Sequence, residues 1–257
     1  MLSDRLRQQL RDEGFCVVPD AMSPRQLAAA REALDRAVER TREAGTAHDS
    51  RIDPNANNVR VYNLPAHDPL FLDMLRWPAA REVVEDVVGP AFLVSNFTAN
   101  IALPGSGSMN VHSDLAAVVP EPWAAPWSIN IIWCLDDVHA DNGATLYLPG
   151  SHHFRTHDEV PADAVARMVP FEAPAGSFIA MEGRLWHTSG ANVTADEQRR
   201  LLFAYYSMDF IRPQMNWEAI LSPEIKDSVD ADMRTLLALG PVANTRIGGA
   251  LTRLQKA

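Results

Sequence analysis

The stretch from Phe92 to Phe210 limits most strongly how this chain folds. Short β-prone runs (FLVSNFTANIAL, WSINIIWCLDD, TLYLPG, GSFIAM and RRLLFAYYSM) alternate there with clusters of Gly, Pro, Asn and Asp. β-Branched and aromatic residues suit a pleated, half-buried surface, and turn residues end each run after a few positions. Many short strands with such punctuation point to a sandwich or barrel rather than a parallel α/β sheet.

Helical patterns flank this core. Leu2, Leu6 and Leu10 recur at four-residue spacing before Gly14, which predicts a short amphipathic helix. Phe15 to Val18 is a brief β-prone run closed by Pro19-Asp20. Ser23 as N-cap and Pro24 at the first helical position open a stronger helix reaching about Glu43, with Leu27, Ala30, Leu34 and Val38 as its apolar stripe. Residues 45–58 are polar and irregular, and residues 68–89 predict a further helix ending at Val88-Gly89-Pro90. From Trp217 the chain is again polar and helical in composition. No linker interrupts this order. The expected organisation is one domain: a helical part over 1–90, a β core over 91–210 and an extension over 211–257.

Composition narrows the function. The chain has 257 residues, 47 % hydrophobic and 22 % charged, the balance of a protein with a sizeable core. A formal net charge of −10 argues against a nucleic-acid or anionic-membrane partner, either of which favours a basic stripe. Cys16 and Cys134 each sit inside an apolar run, which fits a reducing compartment. No apolar signal core opens the sequence and no run approaches a membrane span, so a cytoplasmic location is expected. Nothing in the pattern fixes an oligomeric state.

The chemistry centres on His112-Ser113-Asp114 and on His187, which ends the run GSFIAMEGRLWH. In a strand, residues 112 and 114 share a face. Two imidazoles and a carboxylate on one side form a facial triad suited to Fe(II), with coordination positions left over. Arg199 opens an apolar run farther on, and a guanidinium buried there needs an anionic partner. A dicarboxylate chelating the metal at its other end would supply one through a bidentate pair. Arg200 competes for this role, because a register shift of one residue exchanges the two.

With Asp12-Glu13-Gly14-Phe15, His112-Ser113-Asp114, Asp141 to His152 ending in PGSH, and His187-Thr188-Ser189-Gly190-Ala191-Asn192 followed by Arg199, the chain resembles the phytanoyl-CoA dioxygenase family. The resemblance spans roughly residues 5 to 210. It implies a mainly β protein with flanking helices around a double-stranded β-helix (jelly-roll, cupin-like) core. Further implied are Fe(II) held by His112, Asp114 and His187, with 2-oxoglutarate as co-substrate on Arg199, and Thr145 and Arg60 assisting. O2 is the oxidant, and ascorbate serves as reductant in vitro. The His187–Arg199 spacing is one residue longer than the commonest family spacing. Met109 stands where relatives often carry glutamine, which makes Asn100 or Asn130 candidates to complete the co-substrate pocket.

The implied reaction is oxidation, foremost hydroxylation, of an unactivated C–H bond in a small molecule such as an amino acid derivative or secondary metabolite. Decarboxylation of 2-oxoglutarate to succinate accompanies it. Desaturation, cyclisation and epoxidation are the family's variations, and Asp114 disfavours halogenation. A catalytically silent jelly-roll metal-binding protein and a Zn- or Mn-dependent cupin-type hydrolase or isomerase are the rivals. Candidate pocket walls are the loop 45–63, the loop 118–127 and Met208 to Trp217, with Trp123, Trp127 and Trp217 as covers and Arg155 or Arg212 as acid binders. His139, His152, His153 and His157 read as turn residues.

Overall fold

The computed structural model describes residues 2–240. Helix α1 (Asp4–Glu13) begins at the N-cap Ser3 and stops at Gly14, whose φ of 79° is left-handed. A side chain could not replace Gly14 for a second reason: a Cβ there would lie 2.6 Å from the His152 ring. Strand β1 (Phe15–Val18) follows, then α2 (Pro24–Glu43), opened by a capping box between Ser23 and Gln26. After the irregular loop come β2 (Asn58–Val61), α3 (Pro69–Leu75) and α4 (Pro78–Val88). The single helix expected over 68–89 is thus two. Pro78 lacks the N–H that would continue the first helix, and it holds Trp77 extended at ψ 123°.

The β core holds β3 (Phe92–Ala102), β4 (Ser128–Cys134), β5 (Thr145–Tyr147), β6 (Val169–Pro170), β7 (Phe178–Glu182), β8 (His187–Ser189) and β9 (Arg199–Met208). Two antiparallel sheets result: a major one in the order β1-β7-β4-β9-β3-β2 and a minor one in the order β6-β5-β8. The N-terminal part is therefore more than helical, since it supplies both edge strands of the major sheet.

Period-2 alternation sorts the major sheet into two faces. Phe97, Ala99, Ile131, Trp133, Leu202, Ala204 and Tyr206 pack with the α2, α3 and α4 residues Leu34, Phe71 and Val83 in one apolar cluster. That cluster runs from Leu2 to Leu239 and includes Trp217 and Met233 of the C-terminal segment, so all three parts of the chain share it. The opposite face contributes Ile132, Cys134, Ile179, Met181 and Leu201 to a second cluster with Phe15, Ala144 and Phe171. Between the sheets, on that second face, lies the polar chamber described next. The architecture is mixed α+β with a double-stranded β-helix core, as the sequence implied. No helix among the described residues is long and apolar enough to cross a membrane.

Candidate active site

His112 and His187 meet through the backbone. Each N–H donates to the other's carbonyl, at 3.0 Å from His112 and 2.7 Å from His187, which leaves the ring centroids 4.3 Å apart. The strand expected through 112–114 is only this one bridge, because a 3-10 turn over Asp114–Ala117 starts at once. Ser113 is nevertheless extended (φ −121°, ψ 148°), so Asp114 returns to the side of His112. The ligand atoms of His112, Asp114 and His187 all lie within 4.8 Å of one another, and His187 Nε2 is 4.0 Å from Asp114 Oδ1.

The surroundings orient each ligand. The Nδ1 of His112 and that of His187 each lie 2.9 Å from a carbonyl, of Asn110 and of Leu185 respectively. A carbonyl only accepts, so both Nδ1 atoms carry the proton and both Nε2 lone pairs are free for an ion. Burial, with His112 alongside, pushes the His187 pKa down to about 4, keeping the imidazole in the neutral form a metal requires. Asn130 Nδ2 donates to Asp114 Oδ2 at 3.0 Å, and the Tyr205 hydroxyl donates to the Asp114 carbonyl at 3.2 Å. One carboxylate oxygen is thereby held and Oδ1 faces the histidines. This donor set, two neutral imidazoles and one carboxylate, fits a divalent iron.

Strand parity separates the two arginines. Arg199 points between the sheets with Leu201, Phe203 and Tyr205, and it is fully buried. Its Nε donates to the Gly143 carbonyl at 2.9 Å, and its Nη1 to both oxygens of Asn100 at 3.0 Å. Its Nη2 is buried without a partner, as is Asn100 Nδ2. No carboxylate bonds to it, and burial, only partly offset by Asp136, lowers the Arg199 pKa to about 10 while leaving it charged at neutral pH. Arg200 points the other way, to Asp136 (2.8 Å) and to Asp35 of α2 (3.3 Å), outside the chamber. Gly143 closes against β3: at φ +88° its Cβ would stand 3.0 Å from that of Ala102.

Arg199, Asn100, Thr145 and the three metal-site residues line one cavity of about 140 Å³ together with Arg60, Asn96, Thr98, Met109, Asn130, Ser189 and Phe203. About 10–15 Å³ suffices for one water, so the chamber accepts a ligand of several atoms. Arg60 is present but already committed, since Asp53 takes its Nε at 2.9 Å and its Nη2 at 2.6 Å. Asn96 and Thr98 were missed from the sequence. The alternation in NFTAN signalled them, because Asn96, Thr98 and Asn100 share the face opposite Phe97 and Ala99.

A second cavity of about 560 Å³ opens outward from His112 and Asp114. Arg51, Ile52 and Tyr62 of the loop 45–63 line it, as do Gln214 and Met215 of the segment 208–217. The loop 118–127 does not reach it; Ala116 and Ala117 do. None of the three tryptophans lines either chamber: Trp123 and Trp217 are core, and Trp127 is half-buried outside them. Trp123 packs with Leu115, Leu148 and Trp186 and bonds Val118 O at 2.8 Å, Trp217 bonds Val94 O at 2.8 Å, and Trp127 stacks edge-on with Phe210. Arg212 faces a separate surface groove and Arg155 lines neither chamber. His139 pairs with Glu197 and His157 with Glu121, both at 2.8 Å, while His152 is buried under Gly14 beside His153.

This fold and this site define a class, and comparison with known proteins agrees. Solved structures with the same fold include the non-heme alpha ketoglutarate dependent carbocyclase SnoK from nogalamycin biosynthesis (TM-score 0.66, 20 % identity, 86 % of this chain and 92 % of that one). HygX from Streptomyces hygroscopicus, crystallised with nickel and 2-oxoglutarate, matches with a TM-score of 0.65 at 17 % identity, covering 83 % and 90 %. Among curated sequences, Dioxygenase af480 of Aspergillus fumigatus is 43 % identical over 255 residues, 96 % of this chain and 80 % of the relative. The Mycobacterium tuberculosis protein Rv1501 is 27 % identical over 86 % of this chain and 81 % of its own length. A profile of the phytanoyl-CoA dioxygenase (PhyH) family matches residues 10–201, and the chain belongs to that family. It is an Fe(II)- and 2-oxoglutarate-dependent dioxygenase.

Proposed function

We propose that this dioxygenase hydroxylates an unactivated C–H bond of a small secondary metabolite, with His112, Asp114 and His187 on iron and Arg199 on the distal carboxylate of 2-oxoglutarate. The observation that carries this reading is the unpartnered, buried Nη2 of Arg199 in the same chamber as the metal-site residues. A guanidinium left so is costly unless a ligand completes it. Charge supports the same occupant. A divalent ion beside one carboxylate leaves one positive charge, Arg199 adds another, and a dianion balances both. When bound, iron, 2-oxoglutarate and O2 supply the oxidising power, and the keto acid departs as succinate and CO2.

The chain's own part is positional. Asn130 keeps Asp114 turned toward the ion, and the carbonyls of Asn110 and Leu185 fix the two imidazoles. Asn100 and Gly143 clamp two of the arginine nitrogens and so aim the third. Thr145, buried on the wall of the same cavity, would donate its hydroxyl to that ligand. A hydrolase of cupin type would not need this arginine. SnoK and the epimerase SnoN, both from nogalamycin biosynthesis, support a secondary metabolite as substrate. The test is incubation with Fe(II), ascorbate and 2-oxoglutarate across a metabolite panel. Succinate with a product heavier by one oxygen is expected. Loss of two hydrogens would replace hydroxylation by desaturation or cyclisation, and failure to bind 2-oxoglutarate at all would sink the reading.

A further inference from the structure

The outer vestibule has an unusual charge pattern: among the described residues, both arginines on its wall, Arg51 and Arg60, are already paired with an acid from within the protein. Asp53, fully buried, grips Arg60 through two bonds of 2.9 and 2.6 Å. Asp49 grips Arg51 through bonds of 2.8 and 2.7 Å and also accepts from the Tyr62 hydroxyl at 2.8 Å. The same pairs consume the two acids, and the remaining carboxylate, Asp114, belongs to the metal site. Among the described residues, neither an anionic nor a cationic substrate thus finds a counter-charge without a partner on this wall.

What the wall does offer is apolar surface and neutral polar groups: Thr98, Asn110, Ser113 and one amide pair. Ile52, the Tyr62 ring, Met109, Ala116, Ala117 and Met215 line the space. At its edge Asn96 Nδ2 donates to Gln214 Oε1, and two side-chain amides together present both donors and acceptors. Asn96 lines both cavities, so a group bound there lies between the mouth and the metal site.

Resting on the reading of the site given above, we infer that the molecule oxidised here enters uncharged: a neutral, mostly apolar compound bearing a hydroxyl or carbonyl for the Asn96–Gln214 pair. Free amino acids, fatty acids and acyl thioesters of phosphorylated carriers are thereby disfavoured. Desolvating a charge against this wall would go uncompensated, whereas apolar surface gains by burial.

The test uses full-length protein loaded with nickel and 2-oxoglutarate and three cage compounds of one shape: 1-adamantanol, adamantane-1-carboxylate and 1-adamantylammonium. Calorimetry first records 2-oxoglutarate binding, then each probe. The alcohol is expected to bind at least tenfold more tightly than either ion. In Gln214→Glu the preference should move about tenfold toward the ammonium and away from the carboxylate, a charge-dependent shift that a purely structural role would not produce. A carboxylate that binds best, and loses its advantage in Arg51→Ala, overturns the inference while leaving the co-substrate reading intact. Binding of none of the three overturns it also. Absence of 2-oxoglutarate binding would instead remove the reading on which it rests.

Discussion

The inner chamber and the outer vestibule share a metal site but are built from different material. Arg199, Asn100, Thr145, Asn130 and His187 stand on strands inside two hydrogen-bonded sheets, buried and fixed by cross-strand pairing. Arg51, Ile52, Gln214 and Met215 stand on connecting segments, and Asn96 and Thr98 of β3 with Arg60 of β2 tie the vestibule to the sheet. Strands hold a side chain to within a small tolerance, whereas loops tolerate exchange. The division suggests chemistry common to the family set in the sheets and selectivity set in the loops.

That contrast can be broken by substitution, beginning at the ligands. His112→Ala, Asp114→Ala or His187→Ala should lower succinate formation by about a thousandfold or more, because the remaining pair no longer holds the ion. Measured iron content should fall in parallel. Turnover retained in Asp114→Ala would refute the triad. Next, Arg199→Ala should weaken 2-oxoglutarate binding by about a hundredfold, within the range for truncating one partner of a buried charge pair, while Arg200→Ala leaves it within about threefold. An equal effect of the two would mean that strand parity does not set the co-substrate site.

Smaller effects sharpen the boundary. Asn130→Ala should cost about tenfold in iron affinity, as expected for an outer partner of a ligand, and Asn130→Asp should not restore it, since a carboxylate cannot donate to Asp114. Titration with Fe(II) under anaerobic conditions would show it. Met215→Ala should change the apparent affinity for the organic substrate by several-fold and leave 2-oxoglutarate binding unchanged. If instead both constants moved together, the two cavities would act as one compartment.

Period and punctuation made most of the architecture legible. The stop at Gly14, the N-cap at Ser23 and the β3, β4, β7 and β9 runs are local properties of side chains and backbone, and each formed as read. The split at Pro78 was equally legible but went unread. Met109, expected to alter the co-substrate end, does line that chamber, and its sulfur lies 3.3 Å from Arg60 Nη2.

What the sequence alone determined is the set of chemistry-bearing residues and their order: an H-x-D, a distant histidine, an arginine, and strands to carry them. Which arginine turns inward, whether Arg60 is free or bound to Asp53, and whether Trp123 and Trp217 line a pocket or fill a core were decided only by the packed sheets. The reason is physical. Alternation fixes that neighbouring side chains face opposite ways, but only the layer packed on each face determines which of them is buried with an unpaired nitrogen and which meets a carboxylate.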